Sequence, residues 1–206
     1  MNEIVLIAGV KFKEAAATAE FFRNQGDIVY TLTHADDKTG LEAVMKELNT
    51  QGKLDYLIIQ AEDKSINIKP MGLGELDYED IAKTFDVNVG ATFELVETLL
   101  PLLRAGKKRI GLITSASTSI RCVTETEDFG YAMSQASLHM MWKQYFNKLR
   151  PEGFTFRCFS PNEGGSGISA GKYMQMDFCY DPGEPYTHSE ENFIVMRDGW
   201  FREIPW

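Results

Sequence analysis

The sequence contains few cysteines, few histidines and no long apolar run, and each shortage excludes a class of protein. Its three cysteines and three histidines form no CxxC pair and no ligand cluster, so we predict no metal site. Scattered cysteines in odd number favour a reducing compartment over a disulfide framework. No stretch approaches the roughly 20 apolar residues of a membrane span, and the N-terminus lacks the basic start of a signal peptide. We therefore expect a cytoplasmic protein without a membrane partner.

Basic residues are also scarce. The chain has 21 lysines and arginines against 30 aspartates and glutamates, a net charge of −9. A nucleic-acid surface needs clustered positive charge. The one compact basic run, residues 107–109, falls between a predicted helix and a predicted strand, where it complements a helix C-terminus. We expect no nucleic-acid partner.

Apolar residues are present in amounts that suit one domain. The 206 residues are 44% hydrophobic, enough for a single sizeable core, and we predict one domain spanning residues 1–206. Residues 165–206 form a loop-rich, aromatic tail that we expect to pack on that domain. The predicted strands are Ile4–Ala8, Ile28–Leu32, Leu54–Ile59, Arg109–Thr114 and Phe154–Phe159. The predicted helices are Lys13–Gln25, Thr39–Leu48, Tyr78–Leu103 and Tyr131–Leu149. Strands that alternate with helices in this way indicate a parallel sheet with right-handed crossovers.

Four motifs in order resemble one family. Asp86-Val-Asn-Val-Gly90 is similar to its asparagine-bearing helix, and Ile110-Gly-Leu-Ile-Thr-Ser115 to the strand that ends in its serine. Gly130-Tyr-Ala-Met-Ser-Gln135 is similar to its Tyr-x-x-x-Lys helix, and Phe159-Ser-Pro-Asn162 to its Pro-Gly turn. Together they resemble the short-chain dehydrogenase/reductase superfamily, and residues 193–206 resemble its C-factor-like, carbonyl-reductase-like branch. The resemblance implies an α/β fold, a Rossmann-type doubly wound parallel sheet with helices on both faces, and NAD(P) as cofactor.

The resemblance also implies a catalytic set. Tyr131, Ser115 and Asn88 match the family's proton donor, substrate-orienting hydroxyl and relay amide. Because a polar insert lengthens the gap before Tyr131, Ser117 or Thr118 is an alternative to Ser115. Gln135 stands where the family has lysine, and a neutral amide cannot stabilise a tyrosinate as an ammonium does.

The motifs along the nucleotide's path are altered. Of the family's Thr-Gly-x-x-x-Gly-x-Gly turn, only Gly9 remains, and Lys13 either offers a charge to a phosphate or is simply solvated. Residues 26–55 are too few for the usual elements, which predicts a fold shortened by about one helix and one strand. Ala61, in Gln60-Ala61-Glu62, and Pro161 are the remaining candidates for cofactor contact.

Three hypotheses follow from these motifs. In the first, which the losses favour, the NAD(P) site is impaired and the protein binds a small-molecule ligand or a partner without redox chemistry. In the second, it is an atypical NAD(P)-dependent oxidoreductase that acts on a small carbonyl or alcohol through Tyr131 and Ser115. In the third, the same pair serves proton transfer or recognition without a nucleotide. The family's pairing of its two long helices, here Tyr78–Leu103 and Tyr131–Leu149, further predicts a homodimer.

Overall fold

A computed structural model describes residues 2–61, 74, 76–124, 129–176 and 194–206. The strands are β1 Ile4–Ala8, β2 Ile28–Leu32, β3 Tyr56–Gln60, β4 Arg109–Ile113, β5 Thr155–Ser160, β6 Met196–Asp198 and β7 Glu203–Ile204. The helices are α1 Lys13–Asn24, α2 Lys38–Gln51, α3 Tyr78–Phe85, α4 Ala91–Ala105, α5 Phe129–Leu149 and α6 Ala170–Gln175. Among the helices of these residues, none is both long and apolar enough to cross a membrane.

The described strands form one sheet in the order β2-β1-β3-β4-β5-β6-β7. All neighbouring pairs are parallel except the last, β6 with β7. The doubly wound fold usually places a further strand outside β2, in the order 3-2-1-4-5-6. Here a single helix, α2, connects β2 directly to β3, so in the described residues β2 is the edge. This strand order confirms the predicted doubly wound parallel sheet, and the direct connection from β2 to β3 agrees with the predicted shortening by about one helix and one strand.

Helices cover both faces of the sheet because its strands are apolar on both sides. On one face, Val5, Ile7 and Ile58 pack against Ala15, Ala19 and Phe22 of α1 and against Tyr173 and Met174 of α6. On the other face, Leu6, Leu57 and Leu112 pack against α2, α4 and α5, whose buried side chains include Leu48, Leu99 and Trp142. Because the strands are parallel, their carboxyl ends lie together at one end of the sheet, and the helices on the two faces leave this end uncovered.

Two features of the helices differ from the prediction. The helix expected over Tyr78–Leu103 is interrupted by a π-helical turn at Asp86–Gly90, which separates α3 from α4. The tail, expected to be loop-rich, contributes α6, β6 and β7. Residues 194–206 lie against the domain, since β6 continues the sheet beyond β5. The polar insert at residues 124–128 falls almost entirely outside the described residues, and Glu62 does so as well.

Candidate functional site

In this fold a ligand crevice is expected at the carboxyl ends of β1 and β3, where the strand order reverses. From β1 the chain continues to β2 on one side, whereas β3 and the later strands lie on the other side. Gly9 follows β1 with a φ of +97°, in the left-handed region that favours glycine. A Cβ at this position would overlap the carbonyl oxygen of Gln60. The close contact with β3 is therefore sufficient to explain why this position requires glycine, without invoking a bound ligand.

The N-terminus of α1 is capped from inside the protein. The side chain of Gln60, the last residue of β3, accepts a hydrogen bond of 2.9 Å through Oε1 from the backbone N–H of Ala15. N–H groups in the first turn of a helix after β1 are the ones that hold a pyrophosphate in dinucleotide sites. Ala15 occupies the position of the family's last turn glycine. Lys13, the first residue of α1, is exposed.

Aromatic rings cover the same crevice from the β2 side. The rings of Phe12 and His34 stack with their centroids 5.9 Å apart, and His34 Nδ1 lies 3.4 Å from Asp36 Oδ1. Between these rings and the residues Ala61, Val87 and Asn88, the remaining cavity has a volume of about 10 Å³. That volume is close to the minimum for a single water molecule. This cavity by itself is too small for a pyrophosphate or an adenosine.

Asp37, one of the two acidic residues of the β2–α2 connection, is engaged in capping a helix. Asp37 caps α2 by accepting a 2.8 Å hydrogen bond from the N–H of Gly40, and its other oxygen accepts from Thr33. This connection passes from the strand into the helix within five residues, 33–37. Asp37 thus has a structural role that the sequence did not reveal.

The structure brings Asn88 and Tyr131 together through a third residue, Ser134. The amide Nδ2 of Asn88 donates to Ser134 Oγ at 3.0 Å, and Ser134 Oγ donates to the backbone carbonyl of Tyr131 at 2.8 Å. Asn88 lies in the π-helical turn, a feature that is rare and concentrated at functional sites. Tyr131 is buried, with 6% of its surface exposed. The helix α5 and the π-helical turn therefore fix two of the three predicted catalytic residues.

Gln135, at the family's lysine position, is fully buried. Its Nε2 donates to the backbone carbonyl of Ala61 at 2.9 Å, while its Oε1 has no hydrogen-bond partner among the described residues. This bond ties α5 to the end of β3, across the crevice. Ala61, a predicted cofactor contact, is itself only 7% exposed.

Ser115 lines a wide cavity at the carboxyl ends of β4, β5 and β6. This carboxyl-edge cavity has a volume of about 680 Å³. Its polar side chains belong to Ser115, Cys122, Ser160, Asn162, Asp198, Arg202 and Glu203. Pro161, another predicted cofactor contact, also lines it, whereas Tyr131, Asn88 and Gln135 are absent from the described lining. Ser115 and Pro161 therefore share the lining of one cavity.

The alternatives to Ser115 differ from it in exposure. Thr118 is buried, donates to the carbonyl of Ser115 at 2.5 Å and shares a 3.2 Å hydrogen bond with Thr114. Thr114 also bonds to Nε2 of His139 at 3.0 Å, and burial lowers the pKa of His139 to about 4. The side chain of Ser117 is outside the described part of the structure. Of the two described hydroxyls, that of Ser115 lines a ligand-sized space and that of Thr118 is engaged internally.

Several residues of the site were not predicted from the sequence. Gln60 follows a run of apolar strand residues, and only its polarity at a strand end could have indicated a cap. Ser134 sits within the Tyr131 helix without any distinguishing spacing. Asp198 and Arg202 form an ion pair, with Arg202 Nε 2.6 Å from Asp198 Oδ2. In the ranges that the structure describes, no group of three or more His, Cys, Asp or Glu side chains is arranged to hold a metal ion.

Comparison with known proteins decides the family. The model of the short chain dehydrogenase family matches residues 2–171. The chain belongs to the short chain dehydrogenase family. It is similar to the C-signal protein of Myxococcus xanthus, with 37% identity over 90 residues that cover 43% of this chain and 54% of that protein. It is also similar to the short chain dehydrogenase virK of Hypocrea virens, with 30% identity over 143 residues that cover 61% of this chain and 52% of that protein. The chain thus matches about half the length of each.

Solved structures of the short chain dehydrogenase family share the fold over the whole chain. The putative carbonyl reductase Sniffer of Caenorhabditis elegans superimposes with a TM-score of 0.75 at 15% identity, covering 100% of both chains. A putative short-chain dehydrogenase/reductase of Burkholderia multivorans, solved with bound NADP, gives a TM-score of 0.70 at 17% identity and covers 100% of both chains. At such identities the likeness establishes the fold and leaves the chemistry to the site.

Proposed function

We propose that this member of the short chain dehydrogenase family binds a small polar molecule in its carboxyl-edge cavity and carries out no redox chemistry there. The observation that carries the proposal is the hydrogen bond from Ala15 N–H to Gln60 Oε1. It occupies the helix N-terminus at which the pyrophosphate of a dinucleotide is expected. A location in the cytoplasm is part of the same proposal, and the described cysteines, Cys122 and Cys158, are both free.

The crevice supports this proposal on three counts. Gln60 caps α1, the Phe12 and His34 rings cover the β2 side, and Gln135 bonds to Ala61 where the family's lysine would contact the cofactor. Each of these contacts opposes the binding of NAD(P) in the crevice and so supports a function without it.

The carboxyl-edge cavity supports the ligand side of the proposal. Its volume of about 680 Å³ falls within the ~300–1,000 Å³ of small-molecule sites. Asp198 pairs with only part of the Arg202 guanidinium, through Nε. The other N–H groups of an arginine can bind a carboxylate or carbonyl oxygen. A ligand with such an oxygen suits both Arg202 and the hydroxyl of Ser115.

Nucleotide titration tests the proposal. The protein is titrated with NADH and then NADPH while intrinsic tryptophan fluorescence and nucleotide fluorescence are recorded, and an NADP-binding short chain dehydrogenase serves as positive control. We expect no saturable signal up to about 1 mM nucleotide, which corresponds to binding weaker than about −4 kcal/mol. Saturation at micromolar NADH or NADPH would refute the proposal.

The second candidate is an atypical NAD(P)-dependent oxidoreductase. The cluster of Asn88, Ser134 and Tyr131 favours it, as does the NADP that the Burkholderia multivorans relative binds. In this alternative the Gln60 side chain leaves Ala15 when nucleotide binds. It predicts aldehyde or ketone reduction that Tyr131→Phe lowers by about 10²–10⁴-fold while nucleotide affinity is retained. Equal turnover by the wild type and Tyr131→Phe would exclude a role for this phenol.

A further inference from the structure

A second pocket lies between α5 and the tail, apart from both the crevice and the carboxyl-edge cavity. One wall is a face of α5 that carries Ala136, His139, Met140 and Lys143, at the three- and four-residue spacings that place side chains on one side of a helix. The opposite walls are Ile120, Ile194 and Trp206. We call this hollow the α5–tail pocket, and its volume is about 320 Å³.

The walls of the α5–tail pocket are largely apolar and partly fixed. Ile120 and Met140 stand at its rim with 76% and 60% of their surfaces exposed, which is unusual for side chains grouped around one hollow. Trp206 is held in place by a 3.3 Å hydrogen bond from its indole N–H to the carbonyl of Ile194. The ring of Trp206 contacts the ring of His139 edge to face, with the two ring centroids 5.1 Å apart. The pocket therefore exists before any ligand arrives, which lowers the entropic cost of binding.

The size and wall chemistry of the pocket point to an aromatic ligand. An apolar cavity of about 150 Å³ accommodates benzene, so the α5–tail pocket has room for about two fused rings. A thioether such as that of Met140 makes favourable contacts with ring edges, and indole and imidazole rings stack well against aromatic compounds.

The charge of the pocket adds a second requirement. Lys143 is the one cationic side chain in the described lining at neutral pH, since burial keeps His139 neutral. The ammonium of Lys143 lies 4.8 Å from the centre of the Phe146 ring, beside the pocket. An anionic substituent on the ligand would compensate this charge as the ligand excludes water. The net charge of the chain is −9, so the attraction for an anion at this pocket must come from Lys143 itself.

We propose that the α5–tail pocket binds a planar two-ring aromatic anion, such as a bicyclic aromatic carboxylate or sulfonate. This site is independent of the proposed function, since it shares no lining residue with the carboxyl-edge cavity and lies away from the dinucleotide crevice.

Two fluorescent probes of one ring system test the proposal on the full chain. The first is naphthalene-2-sulfonate, which is anionic, and the second is naphthalene-2-sulfonamide, its neutral counterpart. We expect each to bind one site per chain. Lys143→Met lowers the affinity for the anionic probe by about fivefold, as loss of one ion pair does. The same substitution changes the affinity for the neutral probe by less than about twofold. Lys148→Met, an exposed lysine on the same helix, is the matched control and affects neither probe.

Ile120→Glu blocks the pocket without disturbing the core, because Ile120 is 76% exposed. A carboxylate at the rim lowers the affinity for both probes by at least about tenfold, since ligand binding would bury it. The control, Tyr78→Glu, changes a residue that is 79% exposed outside the pocket and leaves binding unchanged. Thermal midpoints within a few degrees of the wild type verify folding. Absence of saturable binding, several sites per chain, retained affinity in Ile120→Glu, or an equal loss in Lys148→Met would each overturn the proposal.

Discussion

At the scale of single residues, the carboxylate of Asp55 joins three segments at the start of the sheet. It accepts hydrogen bonds from the N–H of Ile4 at 2.9 Å, from the N–H of Lys107 at 3.1 Å and from the ammonium of Lys53 at 2.8 Å. Burial acts to raise the pKa of Asp55, but these hydrogen bonds, led by that of Lys53, outweigh it and lower the pKa. The ionised form is thus stabilised by folding.

Asp55→Asn is expected to lower the free energy of unfolding by about 1–3 kcal/mol at pH 7. Because the folded pKa lies below the unfolded value, this stability is present above the unfolded pKa of 3.8 and is lost as pH falls through the folded pKa. Urea unfolding at pH 7 and near pH 3 measures both effects. Asp36→Asn, on a side chain that is 45% exposed, is the control. A difference between wild type and Asp55→Asn that stays constant down to pH 3 would contradict the assignment.

His139 gives the opposite kind of titration, because its neutral form is the buried one. Its pKa falls from 6.5 to about 4 through burial, so the unfolded chain binds a proton that the folded chain does not. Stability is complete above the unfolded pKa of about 6.5 and is lost as pH falls towards the folded value, by a total on the order of 3 kcal/mol.

Replacing His139 by Gln should remove this contribution. The unfolding free energy of His139→Gln is expected to depend less on pH between about 6.5 and 4 than that of the wild type. Denaturant unfolding across this range measures the slope, and His34→Gln provides a matched replacement outside the buried cluster. Identical slopes for His139→Gln and the wild type would show that His139 is not the titrating group.

At the scale of elements, the cap on α1 has an energetic consequence. The N–H of Ala15 is buried and depends on Gln60 for its hydrogen bond. Gln60→Met keeps the length of the side chain but leaves this N–H unsatisfied, which costs about 1–3 kcal/mol. Unfolding free energy and amide exchange at Ala15 are the measurements, with exposed Gln51→Met as control. Unchanged exchange at Ala15 would mean that the cap contributes nothing.

Long and strongly patterned elements were predictable from the sequence. The four predicted helices and five predicted strands have outer bounds within a few residues of those observed, because apolar periodicity and buried Val, Ile and Leu runs dominate there. The π-helical turn was not predictable, since Asp86–Gly90 continues the helical pattern on both sides. β6 and β7 have three and two residues, too few for a periodic signal. β6 is positioned by pairing with β5 and β7 by pairing with β6, and no local pattern encodes either pairing.

Apolar residues of α5, among them Met140, Trp142 and Phe146, cover a wide arc of the helix, and the sequence alone does not show which of them face the core. The structure buries Trp142 and Phe146 against Phe156. Their contribution is to the core, and they do not extend an outer surface. Met140, by contrast, is exposed and lines the α5–tail pocket.

The parts of the site differ in how far the sequence revealed them. The positions of Asn88, Ser115 and Tyr131 follow from motif order, since strand ends and helix starts meet at one edge of a parallel sheet. The bond between Asn88 and Ser134 and the cap that Gln60 provides to α1 do not follow from motif order. Those contacts join residues that are 46 and 45 positions apart in the chain. No local pattern in a single sequence indicates which distant residues will meet.

At the scale of the whole molecule, the homodimer remains a prediction. Phe93 of α4 is 51% exposed and stacks on the buried ring of Tyr145 of α5 with ring centroids 5.9 Å apart, so an apolar side chain stands on the surface where the two helices meet. Size-exclusion chromatography with light scattering is expected to give twice the chain mass of 23.3 kDa. Phe93→Glu should shift the protein to the monomer, whereas Trp200→Glu, on another exposed aromatic, should not. A monomeric wild type would exclude the pairing.

The shortened sheet also affects how the protein behaves in concentrated solution. With no strand beyond β2 in the described chain, its outer N–H and C=O groups form a template on which another molecule can add a strand. Ile28 at its start is 38% exposed and the next three residues are half-buried, so the strand carries little of the charge that usually protects such edges. The loss that removed part of a nucleotide fold thus also created the place where self-association into aggregates is expected to begin.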